Sequence, residues 1–163
     1  MSDYSTTTEA LYQGDYFPEL GIHPETIPCF LTTAFTMKGF QEVQETYQKK
    51  GYTYIRTRNP NRTALGEVLS CLEGGEASLI FSSGMGAITS TLLAILDPGD
   101  HIICNANIYG ETFSVMTQIL KKCNVDVTLV DYQNTEDIAR ALRPNTRLIY
   151  SEVFSNPTLT LVD

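Results

Sequence analysis

From residue 76 to the end of the chain, short apolar runs alternate with stretches of helical periodicity, and that order leaves few folds open. Residues 77–81 predict a strand, 87–96 a helix and, past the turn Asp97-Pro98-Gly99-Asp100, 101–104 a second strand. Residues 112–122 predict a helix, 125–130 a strand, 135–142 a helix capped by Thr135, and 147–150 a further short strand. Apolar strands joined through helices cannot form hairpins. They predict an α/β chain with a mainly parallel sheet and helices on both faces. No internal repeat is present, and 163 residues with 42% hydrophobic content suit one globular unit with a real core.

The part before residue 76 reads differently. Gly14, Pro18, Gly21, Pro24 and Pro28 punctuate residues 1–35 with little periodicity, which predicts an extended arm. Residues 40–50 predict a short helix that Gly51 stops, and 62–72 a longer one closed by Gly74-Gly75. Between them runs the aromatic and basic stretch Tyr52-Thr53-Tyr54-Ile55-Arg56-Thr57-Arg58-Asn59-Pro60, with a turn at Asn59-Pro60.

Charge and composition exclude several classes of function. A net charge of −8, with the 11 Lys and Arg scattered along the chain apart from the run Arg56, Arg58, Arg62, gives no basic patch for nucleic acid. No run approaches the ~18 apolar residues of a membrane helix, and the polar start, residues 1–10, is unlike a signal peptide; a cytoplasmic protein is expected. Cys29, Cys71, Cys104 and Cys123 are dispersed without a C-x-x-C pair, and only His23 and His101 could join them, so no metal site is expected. The sequence closes on an apolar run, 159–162, and on Asp163, a residue suited to cap a helix, which suggests a fragment or one half of a split protein.

The segment richest in chemistry is Leu79-Ile80-Phe81-Ser82-Ser83-Gly84-Met85-Gly86-Ala87-Ile88, a strand passing through a small-residue turn into a helix. Backbone N–H groups at such a helix start, with the positive end of its dipole, can hold a phosphate. An ordinary tight βα connection would look the same. A dinucleotide fingerprint would need a third glycine where Thr89 stands, so one phosphate suits the turn better than a pyrophosphate, and a nucleotide-binding module is disfavoured.

Set in order, Tyr54-Ile55-Arg56 with Asn59-Pro60, Leu72-Glu73-Gly74-Gly75, Ser83-Gly84-Met85, Pro98-Gly99-Asp100, Tyr109-Gly110, and Glu152 with Asn156-Pro157-Thr158 form a series of landmarks. The series resembles the cystathionine γ-synthase/methionine γ-lyase family of pyridoxal-phosphate (PLP) enzymes from about Tyr52 to the end, and the arm resembles it only loosely. The resemblance implies the fold-type I PLP-dependent transferase fold. Residues 1–50 would be an arm with a short helix contacting another subunit, and 51–163 the first half of the large PLP-binding domain. It also implies roles: Gly84 and Met85 would offer backbone N–H groups to the PLP phosphate, and Tyr54 and Arg56 would reach the phosphate of a neighbouring protomer. Tyr109 would stack on the pyridine ring and assist proton transfer, and Asn156 would hydrogen-bond the 3′-oxygen. Glu152 reads as structural. The implied protein takes an amino-acid substrate, eliminates or replaces a substituent at Cβ or Cγ as a lyase or transferase, and forms a homotetramer, a dimer of dimers with shared active sites.

Three residues depart from that pattern. Glu111 stands where many relatives have glycine or cysteine, Ser114 where some γ-lyases have arginine, and Asn61 where threonine is usual, so the resemblance does not extend to a particular substrate. A larger departure is the lack of a Schiff-base lysine segment. Lys38, Lys49, Lys50, Lys121 and Lys122 lie in polar helical stretches and read as solvated surface residues. Alone, the chain is therefore expected to be inactive, an inert amino-terminal fragment or assembly piece that needs a lysine from elsewhere.

Overall fold

The computed structural model describes residues 25–49, 51–156 and 158–162. Of the extended arm expected at 1–35, residues 1–24 lie outside the described residues, as do Lys50, Pro157 and the cap expected at Asp163. By contacts the chain forms two units, one ending at Ile80 and the other beginning at Phe81.

In the first unit an extended segment pairs with the aromatic and basic stretch. Ala34 and Tyr54 form an antiparallel bridge, flanked by Phe35 N–H donating to Thr53 O at 3.1 Å and Ile55 N–H to Thr33 O at 3.0 Å. The Phe35 ring lies between Phe30 and Tyr52, at centroid distances of 6.2 and 5.8 Å. Among the described residues the unit also contains two helices, α1 (Phe40–Gln48) and α2 (Pro60–Glu73). Helix α2 begins two residues earlier than expected because Asn59 is an N-cap: its Oδ1 accepts Arg62 N–H at 3.1 Å, and Pro60 supplies a φ already suited to the first helical turn. Gly74 ends the helix with a φ of 62°, which a glycine adopts without a Cβ penalty, and Gly75 N–H then reaches Ser70 O at 2.8 Å. Residues 77–81, expected as a strand, are in no ladder among the described residues. An apolar run becomes a strand only when a neighbour takes its backbone groups. The segment does make a side-chain contact with α2, Ser78 Oγ pairing with Ser70 Oγ at 2.8 Å.

The second unit is built on a three-stranded parallel sheet, β1 (His101–Asn105), β2 (Asp126–Val130) and β3 (Thr146–Tyr150), in the order β2-β1-β3. Helix α3 (Gly84–Ile95) precedes β1; α4, residues 110–122, joins β1 to β2; and α5 (Thr135–Ala141) joins β2 to β3. The chain steps from β1 to one side and then back across it, so right-handed crossovers place α4 and α5 on opposite faces of the sheet. This is the α/β architecture expected. All five residues of central β1 are buried. The core brings Leu92 of α3 and Leu96 just past its end, Met116 and Leu120 of α4, and Ile102 and Cys104 of β1 together with Ile108 and Val125.

Two local expectations are corrected. Asn134, not Thr135, caps α5, its Oδ1 accepting Glu136 N–H at 3.2 Å. Helix α4 is not uniform: α-helical Gly110–Ser114 and Leu120–Lys122 flank a π-helical turn, Val115–Ile119. Thr112, Met116 and Leu120 are all fully buried, and a four-residue spacing drifts by about 40° per step in a 3.6-residue helix. The wider turn absorbs part of that drift and keeps the three residues facing the core.

On the opposite sheet face, His101 is fully buried between two threonines, with Nδ1 2.8 Å from Thr146 Oγ1 and Nε2 2.8 Å from Thr128 Oγ1. Arg143 donates to both hydroxyls, from its backbone N–H at 2.8 Å and from Nη2 at 3.0 Å. Burial, and then the Arg143 charge, hold the imidazole pKa below its ordinary 6.5 against a smaller opposing pull from Asp126. His101 is thus a satisfied structural histidine, and among the described residues no three His, Cys, Asp or Glu side chains are grouped to hold a metal ion.

Candidate active site

Parallel strands deliver their carboxyl ends to one edge of the sheet, and in open α/β sheets that edge is where ligands bind. Here β1 leads through residues 106–108 to Tyr109, and β3 leads through Ser151 and Glu152 to Asn156.

The glycine-rich turn forms the start of α3. Ser83 is its N-cap, and its Oγ accepts Gly86 N–H at 3.0 Å. Ser83 O accepts Ala87 N–H at 3.1 Å. The N–H groups of Gly84 and Met85 have no acceptor among the described residues, and a Cβ added at Gly84 would meet nothing within 4 Å. Two backbone donors at the positive end of a 12-residue helix, approachable from outside, are a donor set that fits a phosphate group.

Tyr109 is the N-cap residue of α4, and its side chain is within reach of solvent at 43% exposure. Its N–H donates to Glu152 Oε2 at 3.0 Å, which joins the loop after β1 to the loop after β3. Thr112, one turn into α4, donates from Oγ1 to Met85 Sδ at 3.7 Å, so the Met85 side chain packs against the helix that Tyr109 begins. Sequence reasoning missed Thr112, which carries no distinguishing local signal. Asn156 is exposed at the tip of a hairpin-like turn, framed by the bridge between Phe154 and Leu161 and by Ser155 N–H donating to Thr160 O at 3.0 Å. Gly84, Met85, Tyr109 and Asn156 all belong to the second unit.

Around this edge, ionisation of neighbouring groups is suppressed. Burial, followed by the Glu152 charge, pushes the Cys104 thiol up to about 12 and raises the Tyr150 phenol above its ordinary range. Neither is suited to act as a nucleophile or base near neutral pH.

Tyr54 and Arg56 belong to the first unit. The Arg56 guanidinium lies over the Tyr54 ring, 4.8 Å from its centroid. The turn that presents them is held by Thr57 and Arg58 N–H groups donating to Tyr54 O at 3.0 and 3.1 Å. Arg62 Nη2 reaches the carbonyls of Ile55 and Arg56 at 3.0 and 3.1 Å. Of the three departures noted in the sequence, Asn61 has a defined task here, binding Pro28 O and Phe30 N–H, both at 2.8 Å. Ser114 donates to Gly110 O at 3.1 Å, and Glu111 is exposed in the first turn of α4. Lys38, Lys49, Lys121 and Lys122 are all exposed, with Lys38 just ahead of α1 rather than within a helix.

Comparison with known proteins adds the family. The chain is 38% identical over 138 residues to an L-methionine gamma-lyase of Treponema denticola, a match covering 83% of this chain and 34% of that protein. It is 44% identical over 116 residues to a cystathionine gamma-lyase of Bacillus subtilis, covering 71% of this chain and 30% of that one. Its fold superposes with a TM-score of 0.87 at 25% identity on a putative O-acetylhomoserine (thiol)-lyase of Campylobacter jejuni solved with a pyridoxyl-lysine phosphate, covering 99% of this chain and 40% of the other. The chain thus spans about a third of the length of these curated relatives. The family model for Cys/Met metabolism PLP-dependent enzymes matches residues 8–163, and the chain belongs to that family.

Proposed function

We propose that this chain forms the phosphate-gripping and ring-stacking side of the active site in a PLP enzyme that eliminates or replaces a substituent at Cβ or Cγ of a sulfur-containing or related amino acid. The observation that carries the reading is the pair of N–H groups of Gly84 and Met85, without protein acceptors among the described residues, on the helix that packs through Met85 against the helix begun by Tyr109. When bound, PLP supplies an electron sink for negative charge developing on the substrate. Gly84 and Met85 hold its phosphate, and the Tyr109 ring covers the planar cofactor while its phenol moves a proton at the departing or incoming substituent. Asn156 donates its amide to the 3′-oxygen. Tyr54 and Arg56 hold the phosphate of a neighbouring copy, a task suited to a hydroxyl and a guanidinium fork, so the site is shared within a homo-oligomer, a dimer of dimers. Residues 1–50 serve as an arm with a short helix that contacts another subunit, residues 51–163 form the first half of the large PLP-binding domain, and the compartment is the cytoplasm.

A second reading concerns the chain alone. Its described lysines are all exposed, which supports an inactive piece that becomes an enzyme when a lysine-bearing segment joins it. Assembly with a carboxy-terminal segment of a relative tests both. Protein-bound PLP and turnover of an amino-acid thioether should appear only in the assembled protein. Tyr109→Phe should keep PLP and lower turnover by roughly tenfold to a thousandfold, and Tyr109→Ala should lose PLP on dialysis as well. Full activity in Tyr109→Phe would reduce Tyr109 to a surface tyrosine.

A further inference from the structure

We infer that Glu152 is a positioning residue that sets the direction of the Tyr109 side chain through the Tyr109 backbone; this rests on the reading of Tyr109 given above. Tyr109 is extended, with φ −55° and ψ 136°, and nothing in its own side chain caps α4. Its two peptide groups are nevertheless both held. The N–H goes to Glu152 Oε2 at 3.0 Å, and the carbonyl accepts Phe113 N–H at 2.9 Å. With the atoms on either side of Cα fixed, the Cα–Cβ bond has one direction, and the ring can turn only about its own side-chain torsions.

The tether has a backstop. Asn105, at the end of β1 and almost fully buried, donates from Nδ2 to Ser151 Oγ at 3.1 Å and accepts Asn107 N–H on Oδ1 at 3.1 Å. Ser151 Oγ in turn donates to Glu152 O at 3.2 Å. The loops after β1 and β3 are therefore linked twice, once behind Glu152 and once through its carboxylate. A carboxylate suits this position, because a charge-assisted bond to a backbone N–H is stronger than a neutral one and a negative group at the start of α4 meets the positive end of the helix dipole.

The tether is tested in the 163-residue chain by amide exchange and in the assembled enzyme by a double-mutant cycle. Glu152→Ala should speed exchange of the Tyr109 amide by about tenfold or more and leave the amides of Ile102, Ile103 and Cys104 unchanged. Glu152→Gln keeps an acceptor and should recover part of the protection. In the assembled enzyme Glu152→Ala should lower kcat by roughly tenfold, and in combination with Tyr109→Phe should add almost nothing, since both act through the same phenol. An unchanged Tyr109 amide overturns the tether. So does a Tyr109→Phe enzyme that is slowed while Glu152→Ala adds its full effect on top, because a general structural role adds and a positioning role does not. A Tyr109→Phe enzyme with full turnover would instead sink the functional reading, and the exchange result would then judge the tether by itself.

Discussion

Replacing Asn61 by alanine removes two hydrogen bonds at once, from its Nδ2 to Pro28 O and from Phe30 N–H to its Oδ1, both 2.8 Å long. A neutral hydrogen bond contributes about 0.5–1.5 kcal/mol net, and the Pro28 bond is exposed, so the pair is worth about 1–2 kcal/mol. The loss should fall on the arm and not on the whole unit. Among the described residues, this segment is also held by the short pairing with residues 53–55 and by the contacts of Phe35 with Phe30 and Tyr52, local contacts that can open without the whole unit unfolding. A change of 1–2 kcal/mol multiplies the opening equilibrium by about 5–30. The assay is amide exchange at Phe35 and Ile55, whose N–H groups donate across that pairing, and both should speed up by this factor. Asn61→Thr, with one hydroxyl in place of an amide, can keep one bond and should fall between the two. If Phe35 and Ile55 are unchanged while the first turn of α2 exchanges faster, Asn61 serves the helix start and the clamp is wrong. The outcome matters for Tyr54, since the segment the clamp steadies is the one paired with it.

Two further outcomes follow from buried titratable groups. The folded state holds the His101 pKa below 6.5, so as pH falls through 6.5 the unfolded chain takes up the proton first; urea midpoints should fall between pH 8 and pH 5, more steeply than in His101→Gln, and equal slopes would refute the assignment. Cys104, buried and pushed up to about 12, should resist alkylation at pH 8 until the chain unfolds, while exposed Cys29 reacts at once; labelling of both at one rate would contradict the packing.

The order of elements was legible in the residues because its signals are local. Asn59-Pro60 starts α2 and Gly74 stops it through groups at most five residues apart, and Ser83 starts α3 through an N–H three residues on. The alternation of apolar runs with helical stretches sufficed for the parallel sheet, and the series from Tyr54 to Asn156 sufficed for the family. Even local signals compete: Asn134 and Thr135 are adjacent cap formers, and the backbone placed Asn134 in the cap. Tertiary structure decided what depends on partners far along the chain. Residues 77–81 are apolar enough for a strand, but no ladder forms there among the described residues. The π-helical turn in α4 arises from what Thr112, Met116 and Leu120 must face, which periodicity cannot show. His101 could have been a ligand or a surface residue until the register of β2 and β3 set a threonine on each ring nitrogen. Glu152 stands 43 residues beyond Tyr109, and no local rule connects them. Only when β1 and β3 lie side by side, with their carboxyl ends at one edge, does the carboxylate come within 3.0 Å of the Tyr109 N–H, because neighbours in a parallel sheet are chosen by crossovers and not by sequence distance.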